Sequence, residues 1–472
     1  MWRTVTQELG HEWDIIKPVL VKNLLLKIVL LLLVWLLYTS DHLIFKPNLI
    51  LNTVYNPTNT SIGSGLVAMA EWDGIYFLHA IMKDYTNLKM FAFFPGFPAV
   101  VEALITVISY LPGGQALINL VPFSLFVLAV GLVLNLACHL ASNWLLYQWL
   151  RIRGFSKDQS YFAAMMFGLG GNAIFHIAFY SESTYMFVSL LPIYILAKSG
   201  NNPASKGFWK FFTFTAFFGM SGFFRSVGLM NGAYVGYPLL LELIFAIFKN
   251  KDRKQANLLV LRILIVIVSF LLPVAFLHLK TRRLFCHGPT EHDPVYKAPG
   301  FCDTPTGYFY SYIQDVYWNL RLFDYFRNLY HMDMWVFAFI TCTVVSIWLY
   351  TAYKNAGLSG LISLHIPEYL SNRNLLSPRV VELPDIVAFT IQYVGYYGYA
   401  HLGSIERFWS ATPAYYLFTV VAQQVLVRTS ESRNKQSILS GWKRILPWLI
   451  PGSLVVRQFV VPIFYILRII PI

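Results

Sequence analysis

The chain has 472 residues, 57% hydrophobic and 17% aromatic, with only 12% charged, and its mean hydropathy is +0.54. Soluble domains carry about twice that charged fraction, which excludes an ordinary water-soluble globule and makes lipid the main solvent. The net charge of +13 does not point to nucleic acid, because the Lys and Arg sit mostly in short clusters between apolar runs, where they set topology.

Apolar runs of ~20 residues recur from Leu24 onward, and period-two alternation is absent, so the expected class is an all-α polytopic membrane protein. Arg3, Lys17, Lys22 and Lys27 precede or open the first run, which places the N-terminus in the cytosol and makes Leu24–Tyr38 a retained signal anchor. Residues 41–115 then form a first lumenal loop. Asn59-Thr60-Ser61 in it is a glycosylation sequon. Ala99–Leu111 is too short to cross and is closed by Pro112-Gly113-Gly114, so it reads as a lumenal surface helix.

Further along, Leu117–Leu150 descends to Arg151, Arg153 and Lys157, and Tyr161–Tyr180 rises to Ser181-Glu182. Thr184–Ala197 descends again, Phe211–Phe224 rises to Arg225, and Leu229–Phe248 ends at Lys249, Lys251, Arg253 and Lys254. Leu258–Leu279 rises to a second lumenal loop, 280–333. Met334–Tyr353 leads to a cytosolic loop, 354–384, and three more runs follow. The expectation is about 11 spans in one transmembrane unit, 1–472. This alternation puts Asp73, Glu182, Arg225, Asp315 and Arg407 on one lumenal face. Ionisable groups at span ends are costly unless they face a water-filled cavity.

Each motif has a functional and an ordinary reading. Asp73, beside Trp72, has the chemistry to deprotonate a sugar hydroxyl, a service contributing roughly 10²–10⁴-fold. It also fits a solvated loop aspartate with aromatic interface anchors. Phe91-Ala92-Phe93-Phe94-Pro95-Gly96-Phe97-Pro98 is a rigid aromatic turn, suited to lining a lipid or acceptor groove or simply to resting on the membrane surface. Glu182 is able to hold a substrate hydroxyl or to open the next helix. Arg225 and Arg407 suit a bidentate phosphate grip or snorkelling. Tyr310–Asn319, which includes Gln314, Asp315 and Asn319, mixes aromatics and amides as sugar sites do, and as amphipathic interfacial helices do. Cys286 and Cys302 share one loop, and an oxidising lumen favours their disulfide. There is no phosphate-binding glycine loop, and Glu291-His292-Asp293 is a weak paired-acid signal, so no metal site is assigned and any sugar donor is expected to be lipid-linked.

Taken in order, residues 71–77, 91–98, 180–182, 225–229, 310–319 and 407–413 resemble the PIG-V family, the GPI mannosyltransferase 2 enzymes. The resemblance implies a GT-C fold in the endoplasmic reticulum membrane. It implies an inverting α-1,6 transfer of mannose, without a cofactor, from dolichyl-phosphate mannose to the first mannose of a GPI-anchor precursor. The family's Trp-Asp pair maps onto Trp72-Asp73, with Asp73 as catalytic base. Expected partners are the lipid-linked donor, the GPI-precursor acceptor and the membrane, with no nucleic acid; a small membrane partner subunit is compatible with this reading. The alternatives are another dolichol-linked GT-C enzyme, or a scramblase or transporter that makes no glycosidic bond.

Overall fold

The computed structural model describes residues 2–39, 66–71, 73–169, 174–199, 203–286, 299–303 and 307–318, together with Pro413 and Tyr416. Among these every regular element is helical. Helix α1 (Trp2–Thr39) is followed by a helical turn at 66–68 and by α2 (Gly74–Lys83). A 3-10 turn (Leu88–Ala92) then leads to α3 (Gly96–Tyr110) and the short α4 (Gly114–Ile118). The long α5 (Phe123–Ile152), α6 (Lys157–Leu169) and α7 (Glu182–Lys198) form the first packed group. Then come α8 (Phe208–Gly219), α9 (Ser221–Phe224), a 3-10 stretch (Ser226–Gly232), α10 (Ala233–Phe245), α11 (Arg253–Phe285) and α12 (Phe309–Trp318). Among the described residues, three helical stretches, Phe123–Ile152, Ser226–Phe248 and Arg253–Phe285, are long and apolar enough to cross a membrane.

Two charged side chains inside these apolar helices, Lys27 and Arg262, are spent on backbone groups. Lys27 of α1 donates from Nζ to the carbonyl of Gly168 at 3.1 Å, near the C-terminus of α6, where a helix presents unpaired carbonyls and a partial negative charge. Gly168 packs against Asn23 so closely that a Cβ would lie 1.9 Å from its amide. Arg262 of α11 donates to the carbonyls of Pro203 (3.0 Å), Ala204 (2.5 Å) and Lys206 (2.6 Å), tying down the turn between α7 and α8. Each such bond removes a desolvated backbone acceptor that lipid cannot satisfy.

Two expected spans are interrupted. The run Tyr161–Tyr180 is helical over 161–169, and residues 174–181 are turns and bends. The run Phe211–Phe224 breaks after Gly219, where α8 gives way to α9. Close approach explains the second break: a Cβ on Gly219 would lie 2.4 Å from the Ser269 carbonyl oxygen of α11, and one on Gly222 3.1 Å from Pro273. Irregular backbone in such a position survives only where protein or a polar cavity surrounds it. Here Asn231 holds it, donating to Ser221 Oγ (3.1 Å) and to Ser189 Oγ of α7 (2.9 Å). Helix α3 occupies the stretch read as a lumenal surface helix. Its Phe97, Val101 and Ile105 are buried, while Leu104, Val107 and Tyr110 are exposed. The loop limits 41–115, 280–333 and 354–384 remain expectations; 354–384 lies outside the described residues.

Candidate functional site

The two irregular stretches meet at one place. The loop before α2 is clamped to the 174–181 stretch by backbone contacts. Phe179 N donates to Met69 O at 2.8 Å, and the Tyr180 hydroxyl donates to Glu71 O at 2.7 Å. Asn135 of α5 fixes the other side, its amide donating to Ala178 O (2.5 Å) and Tyr180 O (2.8 Å). Gly74 abuts this strap as well, since a Cβ there would sit 3.2 Å from the Phe179 carbonyl oxygen. Asp73 is therefore delivered by a loop pinned at three points, immediately ahead of α2. It is half-buried, its backbone is in the helical region, and its side chain does not cap the helix.

Glu182 opens α7 and is fully buried. Two things make a buried carboxylate tolerable there: the positive end of the helix and an ion pair with Arg225, Nη1 to Oε1 2.7 Å, with side-chain exposures of 0% and 12%. Arg225 reaches it because the helix has ended. Its backbone is extended (φ −153°, ψ 148°) between α9 and the 3-10 stretch that follows, which turns the side chain across to the next helix.

The third contributor is α12. The Tyr310 hydroxyl lies 3.4 Å from Ser226 Oγ, the residue after Arg225, and hydrogen-bonds the Gln314 side chain one turn along α12. Partial burial pushes the Tyr310 phenol above its ordinary pKa. The bonds to Ser226 and Gln314 and the charge of Arg225 work the other way, and the charge of Asp73 pushes it further up. Tyr310 thus stands in the fields of both Asp73 and Arg225. Asp315 is half-buried on the same helix.

The aromatic turn at 91–98 joins these parts. Phe91, Phe94 and Phe97 are 0–3% exposed, each worth about 1.5–3 kcal/mol on full burial. Phe97 packs edge-on against Phe179 (5.0 Å between ring centres) and Phe77 (5.5 Å), and Phe94 against Tyr310 (5.8 Å). Phe93 stacks on Tyr76 at 4.5 Å and meets Trp318 edge-on at 6.1 Å. Lys89 Nζ lies 5.2 Å from the Tyr76 ring centre and 5.3 Å from that of Trp318. Gly96 backs onto the Arg225 turn, where a Cβ would come within 2.8 Å of the Phe224 ring and 2.9 Å of the Phe223 backbone. The aromatics of α12 read as a sugar platform are therefore partly engaged in packing.

Cys286 and Cys302 are disulfide-bonded with Cα atoms 5.4 Å apart. Arg282 braces the same turn, donating to Phe301 O (3.3 Å) and Cys302 O (3.4 Å). The bond anchors the segment leading into α12 to the end of α11. The structure brings together Asp73, Glu182, Arg225 and Gln314. Trp72, Asn59, Asn319, Arg407 and the Glu291–Asp293 triplet lie outside the described residues. Tyr310 and Ser226 belong to blocks noticed in the sequence, but nothing in a run with three tyrosines marks which hydroxyl meets the serine that follows Arg225.

A family model described as Mannosyltransferase (PIG-V) matches residues 15–463. The chain belongs to the PIG-V mannosyltransferase family. A protein named GPI mannosyltransferase 2 from Chaetomium globosum is 29% identical to this PIG-V chain over 200 residues, 39% of this chain and 40% of that protein. One named GPI alpha-1,6-mannosyltransferase 2 from Homo sapiens is 23% identical over 435 residues, 85% of this chain and 81% of that one. The stretch matched thus spans less than half of the first relative and most of the second. A crystal structure of the Archaeoglobus fulgidus oligosaccharyltransferase overlays with a TM-score of 0.36 at 15% identity, over 79% of this chain and 44% of that one.

Proposed function

We propose that this PIG-V protein is a GT-C enzyme of the endoplasmic reticulum membrane. It transfers mannose from dolichyl-phosphate mannose to the 6-hydroxyl of the first mannose of a GPI-anchor precursor, with inversion and without a metal. The observation that carries the reading is the meeting of Asp73, the Glu182–Arg225 pair and Tyr310 from four distant segments, in a chain matched almost end to end by the mannosyltransferase family. The names of the relatives support the acceptor and the linkage.

In this mechanism Asp73 removes the proton of the acceptor hydroxyl as its oxygen attacks the anomeric carbon. The bond from that carbon to the phosphate oxygen breaks, and dolichyl phosphate leaves with the electron pair. Arg225, fixed by Glu182, faces the charge that grows on the phosphate, with Arg407 as a second cation. A preorganised cation of this kind is worth more than a flexible one because it costs no reorganisation during reaction. Gln314 and Asn319 orient sugar hydroxyls. The active site faces the lumen and the N-terminus faces the cytosol.

The test is Asp73→Asn in microsomes supplied with dolichyl-phosphate mannose and a one-mannose GPI precursor, with and without chelator. The expected result is normal expression with no transfer, and wild-type activity unaffected by the chelator. Undiminished transfer by the variant removes Asp73 as base; loss of wild-type activity on chelation removes the metal-free mechanism.

A further inference from the structure

We infer that Tyr310 is a further catalytic residue, whose hydroxyl donates a hydrogen bond to the departing phosphate beside the Arg225 guanidinium. The inference deepens the proposed transfer reaction and rests on it. Three observations carry it. The first is position: the hydroxyl lies 3.4 Å from Ser226 Oγ, and Ser226 follows Arg225 in the chain, so phenol and guanidinium are presented from adjoining points. The second is fixity. The Tyr310 ring is seated edge-on against Phe94, Gln314 holds the hydroxyl from the next turn of α12, and the disulfide ties the segment before α12 to α11. The third is the field. Tyr310 feels a carboxylate, Asp73, and a guanidinium, Arg225, the two groups the proposed displacement places at its attacking and leaving ends.

A phenol in that position keeps its proton, since burial and Asp73 both disfavour the phenolate. It is therefore a donor of fixed sense. In the ground state its oxygen accepts a hydrogen bond from Ser226 Oγ. As the anomeric carbon–oxygen bond breaks, negative charge appears on the phosphate oxygen, and a hydrogen bond from the phenol to that charged acceptor is roughly twice as strong as one to a neutral acceptor. The interaction grows during the reaction, which is the condition for lowering the barrier rather than tightening ground-state binding. The proton stays on Tyr310 throughout; the one that moves goes from the acceptor hydroxyl to Asp73.

The experiment is Tyr310→Phe in the full-length protein, measured beside Asp73→Asn. Phenylalanine keeps the ring against Phe94, so the thermal midpoint of the purified variant should match wild type. Expected is a fall in kcat on the order of 10²-fold, the usual loss of one oxyanion donor, with KM for the acceptor unchanged. Inhibition by added dolichyl phosphate should weaken, because that product carries the charge the hydroxyl serves. Unchanged kcat overturns the inference, as does a lower kcat with dolichyl phosphate inhibition intact and a displaced pH–rate profile, which would put the hydroxyl on Asp73. An inactive Asp73→Asn beside a fully active Tyr310→Phe sinks this inference alone. An active Asp73→Asn sinks the parent mechanism.

Discussion

Glu182→Ala is the sharpest structural perturbation available, because it leaves Arg225 buried without the carboxylate that now lies 2.7 Å away. Neither charge has a wet alternative nearby: the Glu182 side chain is 0% exposed and that of Arg225 only 12%. Removing one member of such a pair typically costs 3–5 kcal/mol, since the survivor's desolvation is no longer offset. Loss of the negative charge from the first turn of α7 adds roughly 0.3–1 kcal/mol. With about 2 °C per kcal/mol for a large chain, the apparent unfolding temperature should fall by about 6–12 °C. The double variant Glu182→Ala/Arg225→Ala removes the guanidinium as well and should regain much of that loss, while mannose transfer stays absent in both. Scanning fluorimetry of detergent-purified protein reads the first quantity and the microsomal assay the second. A double variant no more stable than Glu182→Ala would refute the coupling argued from the geometry.

Gly96→Ala should destabilise by about 1–3 kcal/mol, since its Cβ meets the Phe224 ring and the Phe223 backbone and one of them must shift; denaturation midpoints would show it, with transfer lowered beyond the loss of folded protein. Cys286→Ser should cost about 3 kcal/mol through the loop it opens, and dithiothreitol should lower the wild-type midpoint toward that of the variant without moving the variant. His79 bonds Thr86 and has its pKa lowered by partial burial and then by Lys83. Its folded-state value lies below the unfolded one, so its contribution is present above the unfolded pKa of about 6.5 and is lost as pH falls further. Wild type should therefore lose more thermal stability on acidification than His79→Gln, and equal losses would remove that assignment.

The polar landmarks were legible because lipid makes them rare. Asp73, Glu182 and Arg225 stand out at the ends of apolar runs, and the order of the surrounding blocks carries the family resemblance. The two cysteines were legible for the same reason, in a short polar loop. What the sequence hides is partnership. Glu182 and Arg225 each read as a substrate ligand or a helix-end group, and only packing of α7 against the α9 turn makes them a pair. The break after Gly219 was hidden too, because Phe211–Phe224 reads as one mostly apolar run and its cause is a carbonyl on α11. Tyr310 was lost among neighbouring tyrosines, because hydropathy and periodicity do not say which hydroxyl a serine on another helix will meet.

The contact of Gly96 with Phe223 and Phe224 has a mechanical consequence. With no room for even a methyl group between them, the aromatic turn at 91–98 and the turn that delivers the Arg225 guanidinium form a single abutment. Neither can be displaced to admit a bulkier sugar without dragging the other. On the proposed function, retuning the choice of acceptor should therefore begin at the α12 wall, where side chains rather than backbone make the fit.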